Sequence, residues 1–297
     1  MNRRKFLQAT AAAGLGLSLP PSLSNLVAAT PPAKIDLVVV QGSSAAQITR
    51  AAIEALGGIR KFISRGDVVV VKPNIGWDRL PEQAANTNPE VVAEVVRLCI
   101  EAGAKKVKVF DRPVNDARRC YVQSGIAATA GAAGAEVSYM DDRKFRDMEI
   151  KGIVLSSWPL YTEVIEADKV INIPIAKRHG EAKLTLSMKN WMGVMGGSRY
   201  RIHQKLDASI VDVAMKIKST LTVLDAVRIL TGNGPQGGDL RDVKRLDTVI
   251  AGTDQVAIDS YGATLFGMKG SDLGYVRLGQ EAGFGKMDLA KLAIRKI

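Results

Sequence analysis

Short apolar runs alternate along this chain with longer stretches in which apolar residues return at helical spacing. "IDLVVVQG", "DVVVVKPN" and "KKVKVFD" have the length and β-branched content of buried strands. Between them, residues 44 to 63 and the stretch "NPEVVAEVVRLCIEAGA" predict helices; Asn88 is placed to cap the second, Pro89 opens it and Gly103 lies near its end. Ala-rich residues 115 to 133 predict another helix and "AEVSYM" another strand. "RKFRDMEIKGIVLSSWPLY" breaks the rhythm and predicts a small hairpin insertion around residues 141 to 165, after which "ADKVINIPI" resumes the core. A helix over 207 to 219, strands "LTVLDAVRI" and "DTVIAG" joined by the loop "TGNGPQGGD", helices over 255 to 265 and 275 to 283, and a terminal strand complete the pattern. This order predicts an α/β fold: a mainly parallel sheet with helices on both faces.

The N-terminus stands apart. "MNRRKFLQATAAAGLGLSLPPSLSNLVAA" pairs Arg3 and Arg4 ahead of Phe6 and Leu7, then runs through a weakly apolar segment to a small-residue exit. That is the layout of a twin-arginine (Tat) signal peptide over residues 1 to 29, which predicts passage through the Tat translocase and a periplasmic or other extracytoplasmic location. The apolar run from residue 9 to 19 is too short to span a bilayer, and no later run approaches that length, so no stable membrane span is expected. Residues 30 to 297 are read as a single α/β domain. Removing the leader takes away Arg3, Arg4 and Lys5 and no acid, so the formal charge of +11 falls by 3 to +8. With aromatics at 5% and no recognition motif, that basic surface predicts an anionic small molecule as partner and no nucleic acid.

Charge and amides gather where strands end. Lys72 and Asn74 follow "VVVV"; Asp111 follows "VKVF"; Lys177, Arg178 and His179 follow "VINIPI"; Asn233 and Gly234 follow "LTVLDAVRIL"; Thr253 and Asp254 follow "TVIAG". In a parallel sheet these ends share one edge, where ligands bind, so all five clusters are expected to face one place. Downstream, Lys189 and Asn190 fall on a short helix; Lys189 sits among apolar residues and needs an anion or an aspartate as partner. Met188, Met192, Met195 and Trp191 are expected to pack the core.

"GNGPQG" matches the form of a dinucleotide fingerprint, but Pro235 interrupts it and no crossover helix fits before the next strand, so a loop offering backbone N–H groups and Asn233 to an anion is the better reading. No G-K-[ST] follows it, which excludes a P-loop. Neighbouring Lys177 and Arg178 should hold His179 neutral and able to serve as base or ligand. A divalent metal is the cofactor class left open; its candidate ligands are His179, His203, Asp225 and Asp259. Cys99 and Cys120 are the only cysteines, too few for an all-thiolate iron–sulfur cluster, and are read as structural thiols.

"VVVKPNIG", "NTNPEVVAEVVRLCIEAGAKKVKVFD", "NIPIAKRHGEAKLTLSMKN", "TGNGPQGG" and "AGTDQVAID" together resemble, in order, the bacterial and archaeal family catalogued as domain of unknown function number 362. The resemblance covers roughly residues 35 to 285 and places Lys72, Asn74, Asp111, Lys177, His179, Lys189, Asn190, Asn233, Asp254 and Asp259 on the family's motif positions. Some members carry a ferredoxin-like module, which implies redox or cofactor chemistry for those members; this chain lacks the cysteines, and a redox partner is left open for it. The expected function is that of an enzyme acting on a carboxylate or phosphate at the sheet's carboxyl edge, with metal or redox assistance left open. Catalytic roles are expected for His179, Asp111 and Lys189, and ligand contacts for Lys72, Asn74, Lys177, Asn190, Asn233, Gly234 and Asp254. The alternative is an exported binding or carrier protein for an anionic ligand or cofactor.

Overall fold

Three consecutive valines show how the sheet is covered. Val69 and Val71 point into one apolar cluster with the helices that follow the first strands, while Val70 points into the opposite cluster. A strand alternates its side chains between faces, so an unbroken apolar run belongs where both faces are buried. The computed structural model describes residues 35 to 217 and 219 to 297, and the export segment expected at residues 1 to 29 lies outside them.

Within that span the chain forms β1 (Leu37–Gln41), α1 (Ala45–Ala55), β2 (Val68–Pro73), α2 (Pro89–Glu101), β3 (Lys106–Val109), α3 (Ala117–Gln123), α4 (Ile126–Ala132) and β4 (Glu136–Val137). Asn88 caps α2 by accepting from the Glu90 N–H, with Pro89 at its first position. The single helix expected over 115 to 133 is two, because Gly125 turns left-handed at φ 71° between them. The helix expected over 44 to 63 stops at Ala55, ahead of Gly57 and Gly58, which both have positive φ. The insertion is a separate antiparallel hairpin, β5 (Phe145–Glu149) with β6 (Ser157–Tyr161), followed by α5 (Thr162–Glu166).

The second half supplies β7 (Lys169–Ile173), β8 (Ile175–His179), β9 (Lys183–Thr185), α6 (Ser187–Asn190), α7 (Leu206–Lys216), β10 (Leu221–Leu230), β11 (Val243–Gly252), α8 (Gln255–Thr264), α9 (Gly274–Glu281) and β12 (Ile294–Lys296). Strand order is β12-β1-β11-β10-β7-β2-β3-β4, with β8 beside β10 and β9 beside β8. Most pairings are parallel; β11 is the exception within the main order, antiparallel to both β1 and β10. Helices α1, α2 and α4 cover one face, and α7, α8 and α9 cover the other.

Two details of this topology shape the carboxyl edge. At Pro174 the chain leaves β7, which lies between β2 and β10, and continues as β8 between β10 and β9. β2 ends level with that point, where Pro73 pairs with Ile173, so the strand ends part there. Antiparallel β11 carries its own carboxyl end to the other edge: Gly252 pairs with Thr222 at the start of β10. Cys99 and Cys120 are buried free thiols, raised by burial to about 12 and about 11 respectively. Among the described residues no helix is long and apolar enough to cross a membrane.

Candidate functional site

Where the strand ends part lies a cavity of about 340 Å³, walled by the ends of β2, β3 and β8, by β9 and by α6. A buried polar network forms its floor. Lys72 is fully buried, and its ammonium lies 2.7 Å from Asp111 Oδ1 while donating to the Pro73 carbonyl (2.9 Å) and to Asn190 Oδ1 (3.0 Å). Asn74 Nδ2 donates to the same Asn190 oxygen at 2.9 Å, and Asn190 Nδ2 donates to Asn172 Oδ1 at 2.8 Å. Asn172 in turn donates to the Ser187 carbonyl at 2.9 Å. Each amide is thereby oriented by its donors and acceptors, which fixes the floor of the cavity.

Asp111 has a second hold, accepting at Oδ2 from the Ile75 N–H at 2.7 Å. Its Oδ1 faces Lys72 as an ion pair but is not angled for a hydrogen bond, which leaves that oxygen's lone pairs free of other donors. Gly193 closes over this pair. A Cβ there would stand 1.8 Å from Asp111 Oδ1 and 2.6 Å from Lys72 Nζ, so only glycine fits.

The wall is cationic. Strand alternation sends Lys177 and His179 into the cavity, and Arg178 to the other face, over the Phe266 ring. Lys177 donates to Asn74 Oδ1 (3.1 Å) and the Ala85 carbonyl (2.5 Å), with no carboxylate in ion-pair range among the described residues. Burial first, then the charge of Lys189, holds its ammonium well below the usual lysine range. Lys189 is 7% exposed, and its one polar contact among the described residues is the Met192 thioether at 3.4 Å. Burial, then the nearby Arg199 guanidinium, lowers it to about 8.

His179 Nδ1 accepts from the Ala182 N–H at 3.2 Å. Burial and the two lysines lower its pKa to about 3, so the ring is neutral at physiological pH and carries its proton on Nε2. It therefore offers the cavity a donor. The general-base role expected of it would need the nitrogen that already accepts from the backbone.

The helix that carries Lys189 and Asn190 is pinned from below. Asp259 accepts from the Ser187 N–H (2.7 Å), the Ser187 hydroxyl (2.5 Å) and the Met188 N–H (3.0 Å), and burial raises its carboxyl to about 7. Asp225 likewise accepts from the Asn88 N–H (2.7 Å) and the Val227 N–H (2.9 Å), with burial raising it to about 6. Both aspartates thus fasten backbone and lie off the cavity lining, which removes them as ligands to a metal beside His179. His203 lines the cavity rim, its Nδ1 in contact with the Glu181 carboxylate and its ring stacked on Tyr200. Among the described residues no three His, Cys, Asp or Glu side chains are grouped to hold a metal ion.

Asp254 is at the opposite edge. Because β11 is antiparallel to β10, "TVIAG" ends there, and the Asp254 carboxylate caps α8 by accepting from the Ala257 N–H at 2.9 Å. Four of the five strand-end clusters gather at one edge, and the fifth is lost to strand direction. Asn233 is also diverted, donating to Asp242 Oδ2 at 2.7 Å. Its loop still reaches the site through Pro235, because Gly234 packs directly on the backbone of β8: a Cβ at Gly234 would meet the Arg178 carbonyl at 2.0 Å.

Several lining residues went unsingled in the sequence. Trp77, Val114 and Tyr200 give the mouth an apolar rim, with Tyr200 80% exposed. Arg199 donates to the carbonyls of Arg112 (3.0 Å) and Pro113 (2.9 Å), tying the segment after α6 to the end of β3. Asn172 did leave a signal, as a lone amide inside the apolar run "VINIPI".

A structure-wide likeness links the chain to the lactate racemase apoprotein from Thermoanaerobacterium thermosaccharolyticum, at 12% identity and a TM-score of 0.46, over 78% of this chain and 57% of that one. A structural-genomics target protein from Thermotoga maritima gives 9% identity and a TM-score of 0.47, over 76% and 60%. Neither bears on the chemistry of the site. In sequence the chain is 31% identical, over 219 residues, to the thylakoid-associated protein sll1697 of Synechocystis sp.; the match covers 71% of this chain and 66% of that relative's length. The family model described as domain of unknown function, DUF362, matches residues 69 to 264, a span that runs from β2 through the cavity's walls to the end of α8, and the chain belongs to that family.

Proposed function

We propose that this chain is an exported enzyme that acts on an anionic small molecule, a carboxylate or a phosphate, held in the cavity at the carboxyl edge of the sheet. One observation carries the reading: two buried lysines, Lys177 and Lys189, line the same cavity, and among the described residues neither has a carboxylate within ion-pair distance. Burying an ammonium without a counter-charge is costly, and an anion between them would repay that cost. The neutral His179 supplies an N–H for the same ligand, and the fixed Asn74 and Asn190 amides line the floor. The apolar rim favours an anion with a flat or apolar body.

Calorimetric titration with inorganic phosphate and with benzoate at pH 7 tests this. At least one should bind, and Lys189→Met should weaken it about 10- to 100-fold, the loss expected for a charge-assisted hydrogen bond. The same variant should keep or gain thermal stability. Absence of binding by both anions, or equal binding by wild type and variant, would overturn the reading. Anion capture alone fits a carrier as well as an enzyme, and what separates them is chemistry at Lys189.

A further inference from the structure

The three buried lysines of this region are satisfied to different degrees. Lys72 has a carboxylate, a carbonyl and an amide oxygen. Lys177 has an amide oxygen and a carbonyl. Among the described residues Lys189 has only a thioether, a weak acceptor, for three N–H groups. Its position is not loose, because α6 is capped by Asp259 and the neighbouring Trp191 is buried, with its indole N–H donating to Gln255 Oε1 at 2.7 Å. A rigidly mounted, buried amine, whose one acceptor among the described residues is a thioether, faces the cavity that the other cations also line.

We propose that Lys189 is the nucleophile of this site and that its substrate is a 2-oxo acid, whose carboxylate rests against Lys177 and the His179 N–H while its carbonyl carbon takes the Lys189 amine to form an imine. This rests on the anion reading of the cavity. In the first step the amine lone pair forms the C–N bond as the carbonyl π pair moves to oxygen, which takes one amine proton. The carbinolamine then expels that oxygen as water, with the second amine proton, and leaves a C=N bond. Nothing is oxidised or reduced.

Two further observations agree with this. Lowered to about 8, the Lys189 amine is neutral in about one molecule in ten at pH 7, against fewer than about one in a thousand for an ordinary lysine. Among the described residues no carboxylate salt-bridges the amine, so no counter-charge holds the proton on its lone pair. The remaining cations stay available for the substrate's charge, and the rim of Trp77, Val114 and Tyr200 suits an apolar side chain on the oxo acid.

The test is to incubate the whole protein with phenylpyruvate and sodium cyanoborohydride, which reduces a trapped imine to a stable secondary amine, and to map the adduct by peptide mass spectrometry. Modification of Lys189 should run at least about tenfold faster than that of any solvent-exposed lysine, reflecting its larger neutral fraction. Benzoate should slow it. Lys189→Arg, which keeps the charge, should lose the adduct while still binding benzoate, and its thermal melt will show whether it is folded; Lys177→Gln should leave Lys189 reactive but slow its modification. No adduct at Lys189, labelling spread evenly over surface lysines, or a rate indifferent to benzoate would overturn the proposal. If benzoate or phosphate binds and no adduct forms, the nucleophile falls and the anion site stands; if neither anion binds, both fall.

Discussion

Lys72 and Lys189 are both buried lysines at the carboxyl edge of the same sheet, yet they do opposite things to the protein. Lys72 sits behind the cavity lining in a closed network, where Asp111, Pro73 and Asn190 absorb its charge and its protons. Lys189 lines the cavity with its charge unanswered. The difference is between a cation used to hold strand ends together and a cation kept available at a cost in stability. Burial and basicity alone do not distinguish them; the count of acceptors around each nitrogen does.

The sharpest way to break this comparison is Lys72→Met. It leaves the Asp111 carboxylate buried with only the Ile75 N–H, and removing one partner of a buried pair typically costs about 3–5 kcal/mol. Urea denaturation should show that loss, and Lys72→Met combined with Asp111→Asn should recover part of it. A neutral Lys72→Met would mean that the two lysines are not different in kind.

A second effect is read from pH. With Lys189 lowered to about 8 by burial, benzoate affinity should fall by up to about tenfold per pH unit above that value, while phenylpyruvate trapping rises through the same range. The sign for stability is the reverse of that for binding: between about pH 8 and 10.5 the unfolded chain holds a proton that folded Lys189 has released, so this group's contribution to stability rises with pH. Calorimetry and trapping rates that move in the same direction with pH would contradict a single titrating amine.

The smallest effect comes from the opposite edge. Asp254→Ala removes the cap of α8 and should cost about 1 kcal/mol in a thermal or denaturant melt. Benzoate affinity should not change. A binding defect in this variant would place Asp254 in the ligand's reach, against the strand direction of β11.

Much of the architecture was legible because it depends on local pattern. The valine runs of β1 and β2, the Asn88–Pro89 start of α2 and the irregular hairpin after residue 140 each announce themselves within a few residues. The gathering of Lys72, Asn74, Asp111, Lys177 and His179 was legible too, since parallel strands deliver their ends to one edge. Asp254 was misplaced because an apolar run followed by an acid reads the same in either strand direction. The roles of Asp225 and Asp259 were hidden for a related reason: an aspartate that fastens distant backbone N–H groups has the same local sequence as one that awaits a ligand.

By itself, then, the chain's order of apolar and polar residues determined an α/β sheet covered on both faces and a concentration of cations and amides at strand ends. Only the folded structure decided which way β11 runs, that the chain turns from β7 into β8 at Pro174 where β2 ends, and that Asp111 answers Lys72 while no carboxylate among the described residues answers Lys189. The physical reason is that strand-forming pattern is written in neighbouring residues, whereas charge pairing joins positions far apart in sequence, here 39 residues for Lys72 and Asp111, and depends on distances set only when the strands assemble.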